Sequence, residues 1–201
     1  MIDVIDYRAG NSPSVIYALE KLGIACRLVS KPEQILTSER LVLPGVGAAR
    51  ATLESLDESG LTQPLTQRVR EDRVPFLGIC VGLQVLFDRS DEGPTPCLGW
   101  LPGTVVRFPT TDRVPQIGWN EVHPVRTHPL LDGLPDHGHF YFVNSYYAAP
   151  ADGGDVLGVT SYGVDFPSVV ARDNIAATQF HAEKSGELGL RILDNFADWT
   201  P

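Results

Sequence analysis

The sequence predicts an α/β fold: a mixed, mainly parallel sheet flanked by helices, with additional antiparallel strands in the C-terminal half. Two patterns carry this reading. Near-continuous apolar runs alternate with helix-like stretches through the first 80 residues, as strands buried on both faces do. Beyond residue 100 the runs become short, β-rich and separated by Gly, Pro and Asp, which is typical of hairpins. With 201 residues, the chain is long enough to bury a full core without disulfides or a structural metal, and 1–201 is read as one domain.

Each element has a local reason. IDVIDY (2–7) is a short apolar strand. A helix follows in which Ser12 can cap, Pro13 fits the first turn and Gly23 terminates after Leu22. ACRLVS (25–30) and RLVLPG (40–45) read as two strands with little room between them, the second running into Pro44-Gly45-Val46-Gly47. Helices are expected at Ala48–Leu56 and Leu61–Arg70, and VPFLGI (74–79) is a fourth buried strand. GTVVRF, HFYFVNSYYA, DVLGVTSY, PSVVAR and IAATQF supply the later strands. A final helix, Glu187–Trp199, carries Leu188, Ile192, Leu193 and Phe196 on one stripe.

Composition narrows the function. A formal charge of -9, and no basic cluster beyond Arg68–Arg73 with Glu71 and Asp72 inside it, argue against a nucleic-acid ligand. No apolar run is long enough to span a bilayer, and MIDVIDY lacks the basic start of a signal peptide, so a cytoplasmic location is expected. Cys26, Cys80 and Cys97 fit neither a disulfide framework nor a metal motif. Cys26 reads as core and Cys97 as an exposed loop thiol.

Cys80 stands apart. Gly78-x-Cys80-x-Gly82, at a strand-to-helix junction, has the form of a nucleophile elbow, in which small flanking residues let the reactive atom project at the carboxyl edge of the sheet. A helix starting near Gly82 would aim its N-terminal amides at the sulfur and favour the thiolate. On this pattern alone Cys80 can equally be a small buried hydrophobe. A nucleophile needs a base held by a third group, and His181, at the end of an apolar strand with Glu183 two residues on, offers both. His123, His128, His137 and His139 read as solvated or locally bonded.

Gly-Ile-Cys-x-Gly-x-Gln at 78–84, with Gln-Phe-His-x-Glu-Lys-Ser at 179–185, resembles the class I glutamine amidotransferases. IDYRAGN (5–11), LPGVGAA (43–49), GWLPGTVVRF (99–108), IGWNEV (117–122) and YFVNSYY (141–147) extend the resemblance over nearly the whole chain. They are similar to the branch that passes ammonia to a (β/α)8-barrel cyclase in histidine biosynthesis. Relatives serving guanine nucleotide or anthranilate synthesis usually carry Pro-Gly-Gly where this chain has Pro44-Gly45-Val46-Gly47.

The resemblance implies a flavodoxin-like fold, glutamine as substrate, no cofactor and no metal. It assigns Cys80, His181 and Glu183 as the triad. The backbone of Val81 becomes an oxyanion donor, with the Val46–Gly47 loop as the second, flipping between the glycines that flank Val46. Gln84 and the backbone of Ser145 and Tyr146 hold the substrate, whereas without the resemblance Gln84 reads as a solvated helix residue. Asn11, Trp119, Asn120, Tyr141 and Lys184 face the cyclase partner; an exposed Trp119 would be an anchor and a buried one only core. Three positions depart from the family pattern: Asn144 and Gln116 stand where His is usual, and Ala182 replaces a Pro. A stand-alone cysteine amidase or peptidase and a non-catalytic glutamine-binding subunit remain as alternatives.

Overall fold

A computed structural model describes residues 1–8, 10–109 and 113–201; Ala9, within the 5–11 motif, lies outside them. The chain forms strands β1 (Ile2–Ile5), β2 (Cys26–Val29), β3 (Leu41–Gly45), β4 (Phe76–Cys80), β5 (Arg89–Ser90), β6 (Thr95–Pro96) and β7 (Gly103–Arg107). Then come β8 (Gln116–Pro124), β9 (Gly138–Asn144), β10 (Tyr146–Pro150), β11 (Val156–Tyr162), β12 (Val164–Arg172) and β13 (Ile175–Thr178). The helices are α1 (Ser12–Lys21), α2 (Pro32–Ile35), α3 (Ala49–Glu58), α4 (Thr62–Thr66), α5 (Val81–Gln84) and α6 (Gly186–Asp198).

One sheet runs β2-β1-β3-β4-β13-β12-β11-β8-β9. Pairing is parallel from β2 to β13 and antiparallel from there to β9. The parallel strands β1, β3, β4 and β13 are buried along their whole length, hence their apolar runs. Strand order reverses between β1 and β3, which in a doubly wound sheet opens a crevice at the carboxyl ends of the strands. Helices α1 and α6 pack together, while α4 meets α2 and α3. A second sheet, β10-β7-β5-β6, packs through β10 on β12.

Several local expectations change. Ser12 does not cap α1: its hydroxyl donates to the Ile5 carbonyl at 2.9 Å, and the N-cap is Asn11. The gap between β2 and β3 holds the one-turn α2. The predicted 61–70 helix becomes α4 followed by a π-helical turn, Gln67–Glu71. β2 is an edge strand, so Cys26 is half-buried and not core. Cys97 is half-buried too, and burial pushes its thiol up to about 11. β8, which contains His123, is the longest strand that the apolar runs did not supply. At the end of α6, Arg40 donates to the carbonyls of Phe196 and Trp199 at 2.6 and 2.7 Å, satisfying acceptors that a helix C-terminus leaves open.

Candidate active site

Strand β4 ends on Cys80, whose backbone sits at φ +58°, ψ -108°. A non-glycine residue there stores strain on the order of 1–3 kcal/mol, which the surrounding packing must hold. The flanking glycines are what permit the turn. A Cβ on Gly78 would lie 2.5 Å from the Gly82 carbonyl oxygen, and one on Gly82 would lie 2.0 Å from that of Leu43. The helix expected behind the nucleophile is a single turn, α5, so little macrodipole is available. Its first residue is Val81, whose N–H has no acceptor within the helix.

His181 follows β13, the strand beside β4, and so stands next to Cys80 at the same edge. Its Nδ1 lies 2.8 Å from Glu183 Oε1, in a short 3-10 turn, Ala182–Lys184. Both side chains are almost fully buried. Glu183 Oε1 also accepts from Asn11 Nδ2 at 2.9 Å, while its Oε2 has no hydrogen-bond partner among the described residues. Burial alone pushes the His181 imidazole down, but hydrogen bonds and charge attraction from Cys80 and Glu183 outweigh it and hold the ring up at about 10. Burial likewise raises the Glu183 carboxyl, yet its bonds to His181 and Asn11 bring it below the usual value. The position of the ring is fixed from behind: His181 N–H donates to the Tyr141 carbonyl at 2.9 Å, and Ser185 Oγ donates to the His181 carbonyl at 2.6 Å.

A cavity of about 240 Å³ opens onto Cys80 and His181, lined also by Val46, Gly47, Val81, Gln84, Asn144, Ser145 and Tyr146. That is room for an amino-acid-sized molecule, below the roughly 300–1,000 Å³ of sites for larger ligands. Ser145 is the residue at which the chain leaves the first sheet at β9 and joins the second at β10. The carbonyls of this corner are occupied: Ser145 O accepts from Phe108 N–H at 3.0 Å, and Tyr146 O accepts from both Gln84 Nε2 (3.1 Å) and Asn144 Nδ2 (3.0 Å).

The remaining expected site residues divide. Gln84 is buried, not solvated, and its Nε2 also reaches Gln179 Oε1 at 3.2 Å. Gly47 has φ +89° and open space around it, but Gly45 does not share that freedom. A Cβ on Gly45 would press within 2.8 Å of Gly82 N and Val81 Cβ, so Gly45 serves close packing against the elbow. Trp119 is 56% exposed and meets the Tyr141 ring edge-on at 6.0 Å between centroids. Asn120 points to the opposite face of β8 from Trp119, where Nδ2 donates to the Ser161 carbonyl at 2.9 Å. Asn11 is bound internally at both ends, to Glu183 and to Ser14 Oγ at 2.7 Å. Lys184 is exposed on the 3-10 turn. The departures Gln116 and Asn144 are cross-strand partners, each with a buried side-chain oxygen that has no partner among the described residues. Ala182 is fully buried in the turn.

Sequence reasoning missed Gln179 and Glu92. Gln179 is fully buried, with Nε2 3.8 Å from Cys80 Sγ; a buried glutamine beside the candidate histidine was the available signal. Glu92 lines the cavity and accepts from Ala49 N–H at 3.1 Å, standing in for a side-chain cap that α3 lacks. Nothing near it in sequence marks that role.

The chain matches the glutamine amidotransferase class-I family over residues 3–199. The imidazole glycerol phosphate synthase subunit HisH of Dehalococcoides mccartyi is 49% identical over 197 residues, covering 98% of this chain and 96% of that protein. The HisH subunit of Chloroflexus aurantiacus is 47% identical over 205 residues, covering 100% and 96%. Among solved structures, a glutamine amidotransferase superposes with a TM-score of 0.76 at 24% identity, covering 97% of this chain and 98% of the other. PurLQS from Thermotoga maritima superposes at 0.74 and 17% identity, covering 97% and 96%. At these identities the superpositions speak for the fold, and the sequence matches speak for descent. The chain belongs to the class-I glutamine amidotransferase family, and within it to the group of the HisH subunits.

Proposed function

We propose that the chain hydrolyses glutamine to glutamate and ammonia and passes the ammonia to a (β/α)8-barrel cyclase subunit in histidine biosynthesis, in the cytoplasm. The observation that carries the chemistry is the strained Cys80 at the mouth of an amino-acid-sized cavity, beside an imidazole bonded at 2.8 Å to a buried carboxylate. Cys80 gives its proton to His181, and its sulfur attacks the carboxamide carbon. The tetrahedral oxyanion is met by the Val81 N–H and by an N–H of the Val46–Gly47 loop. His181 hands its proton to the leaving nitrogen, which departs as ammonia and leaves a glutamyl thioester. Water then attacks the thioester, with His181 taking its proton, and glutamate leaves as the thiol is restored. Glu183 keeps the ring oriented and balances its positive charge, and Asn11 orients Glu183. Substrate recognition falls to the Gln84, Ser145 and Tyr146 corner, through groups other than the occupied carbonyls.

The partner surface we assign to the outward face of β8 and β9, where Ile117 (59% exposed), Trp119 and Val143 leave apolar area uncovered beside Tyr141. Lys184 lies at its edge. Glutamate release measured on the chain alone, then with a barrel cyclase and its ribonucleotide ligand, tests the assignment. Low release alone and a large rise in the complex are expected. Full activity alone would mean a free-standing amidase, and silence in both would mean a binding subunit.

A further inference from the structure

Outside the catalytic cavity, the outward face of the β8–β9 hairpin gathers one carboxylate and three imidazoles. Glu121 pairs across the strands with His139, and one step further along the hairpin His123 stands beside His137, with ring centroids 4.7 Å apart and ring planes at 84°. His137 Nδ1 lies 3.4 Å and His123 Nε2 3.5 Å from Glu121 Oε2, while His139 Nε2 lies 3.6 Å from Oε1. The donor atoms of Glu121, His123 and His137 all fall within 4.8 Å of one another.

As a hydrogen-bonded cluster this arrangement is overbuilt, because three imidazoles converge on the two oxygens of one carboxylate. As a ligand set it is coherent. Nitrogen and oxygen ligands about 2.0–2.1 Å from a tetrahedral zinc ion stand roughly 3.3–3.4 Å apart, close to the two distances from Glu121 Oε2 to His137 and His123. Two imidazoles and one carboxylate suit zinc and its neighbours and not calcium or magnesium, which prefer all-oxygen shells. The four side chains are between 37% and 69% exposed, so an ion can enter without the fold opening.

We propose that Glu121, His123 and His137 form a zinc-class divalent cation site that clips β8 to β9, with the fourth position open to water and His139 beside the carboxylate. The site lies on the same face as Trp119 and Tyr141, with Glu121 two residues after Trp119 on β8 and its partner His139 two residues before Tyr141 on β9. Calorimetric titration of the untagged full-length chain with Zn²⁺ tests it, with Cys80→Ser as a control for binding through the reactive thiol. The expected result is one ion per chain with a Kd on the order of 1 μM or tighter, unchanged by Cys80→Ser. His123→Ala and His137→Ala should each weaken binding at least ~10-fold, with His139→Ala weakening it less. Since these positions are exposed, the metal-free variants should melt with the parent chain. Absence of saturable binding, or binding lost with Cys80→Ser and indifferent to His123→Ala and His137→Ala, overturns the proposal.

Discussion

Replacing Glu183 by Gln isolates what the buried charge does. The substitution keeps the size of the side chain and an oxygen able to accept from His181 Nδ1–H, and removes the negative charge 2.8 Å away. The imidazole is held at about 10 instead of 6.5, a preference for the charged ring of ~5 kcal/mol at 1.36 kcal/mol per pH unit. Cys80 and Glu183 share that effect against burial. A unit charge about 4 Å from the ring contributes ~4 kcal/mol at an effective dielectric near 20. Losing it should therefore destabilise the imidazolium by ~2–4 kcal/mol, roughly a 30- to 1,000-fold change in a rate that depends on that ring. The assay is alkylation of Cys80 against pH, which needs no partner. It is selective near neutrality, because burial raises the thiols of both Cys26 and Cys97. Glu183→Gln should react at least ~10-fold more slowly at pH 7 and lose glutamate release in parallel. A profile that superimposes on that of the parent chain, in a variant shown to be folded, would refute this account of the triad.

The same pair sets a pH window for stability. His181 is raised on folding, so its contribution is complete below 6.5 and is lost as the pH climbs through about 10; Glu183 is lowered, so its contribution is complete above 4.5 and is lost as the pH falls through its depressed value. The unfolding free energy from urea titration should thus decline above pH 6.5, by at most ~5 kcal/mol in total, and His181→Asn should flatten that decline. Gly82→Ala drives a Cβ into the Leu43 carbonyl at 2.0 Å, a backbone clash expected to cost ~3 kcal/mol or more, read as a lowered melting temperature or insoluble expression. Trp119→Ala should weaken binding of the proposed cyclase partner by ~2 kcal/mol in a titration of the two subunits while leaving Cys80 alkylation of the isolated chain unchanged.

Legibility followed the range of the physics. The parallel strands could be read because burial on both faces leaves apolar runs with no alternative use, and Gly78-x-Cys80-x-Gly82 could be read because the contacts that exclude a Cβ lie within a few residues or on the adjacent strand. His181 with Glu183 could be found because the ring and its carboxylate are two residues apart. β8 escaped because its outward face mixes Ile117, Trp119, Glu121 and His123, so the apolar alternation breaks halfway along the strand. Asn11 was placed on the surface although it bonds to a residue 172 positions away, a contact that only the fold creates. Glu92 was invisible for the same reason: it caps a helix that begins 43 residues earlier.

Strand β9 joins these observations. Its even-numbered residues are buried, ending at Asn144 in the cavity wall, and its odd-numbered residues face outward as His139, Tyr141 and Val143. The backbone of the outward residues is nonetheless in contact with the chemistry. The Tyr141 carbonyl holds the His181 N–H, the Tyr141 N–H is held by Ser185 Oγ, and the Val143 carbonyl lies 4.0 Å from Cys80 Sγ. Pleating therefore sets the apolar face proposed for a partner one backbone thickness from both His181 and Cys80. A shift of a few tenths of an ångström in β9 would alter the hydrogen bonds that fix His181, with no change to Cys80, His181 or Glu183 themselves. On this chain the surface proposed for the partner and the wall of the active site are two faces of one strand.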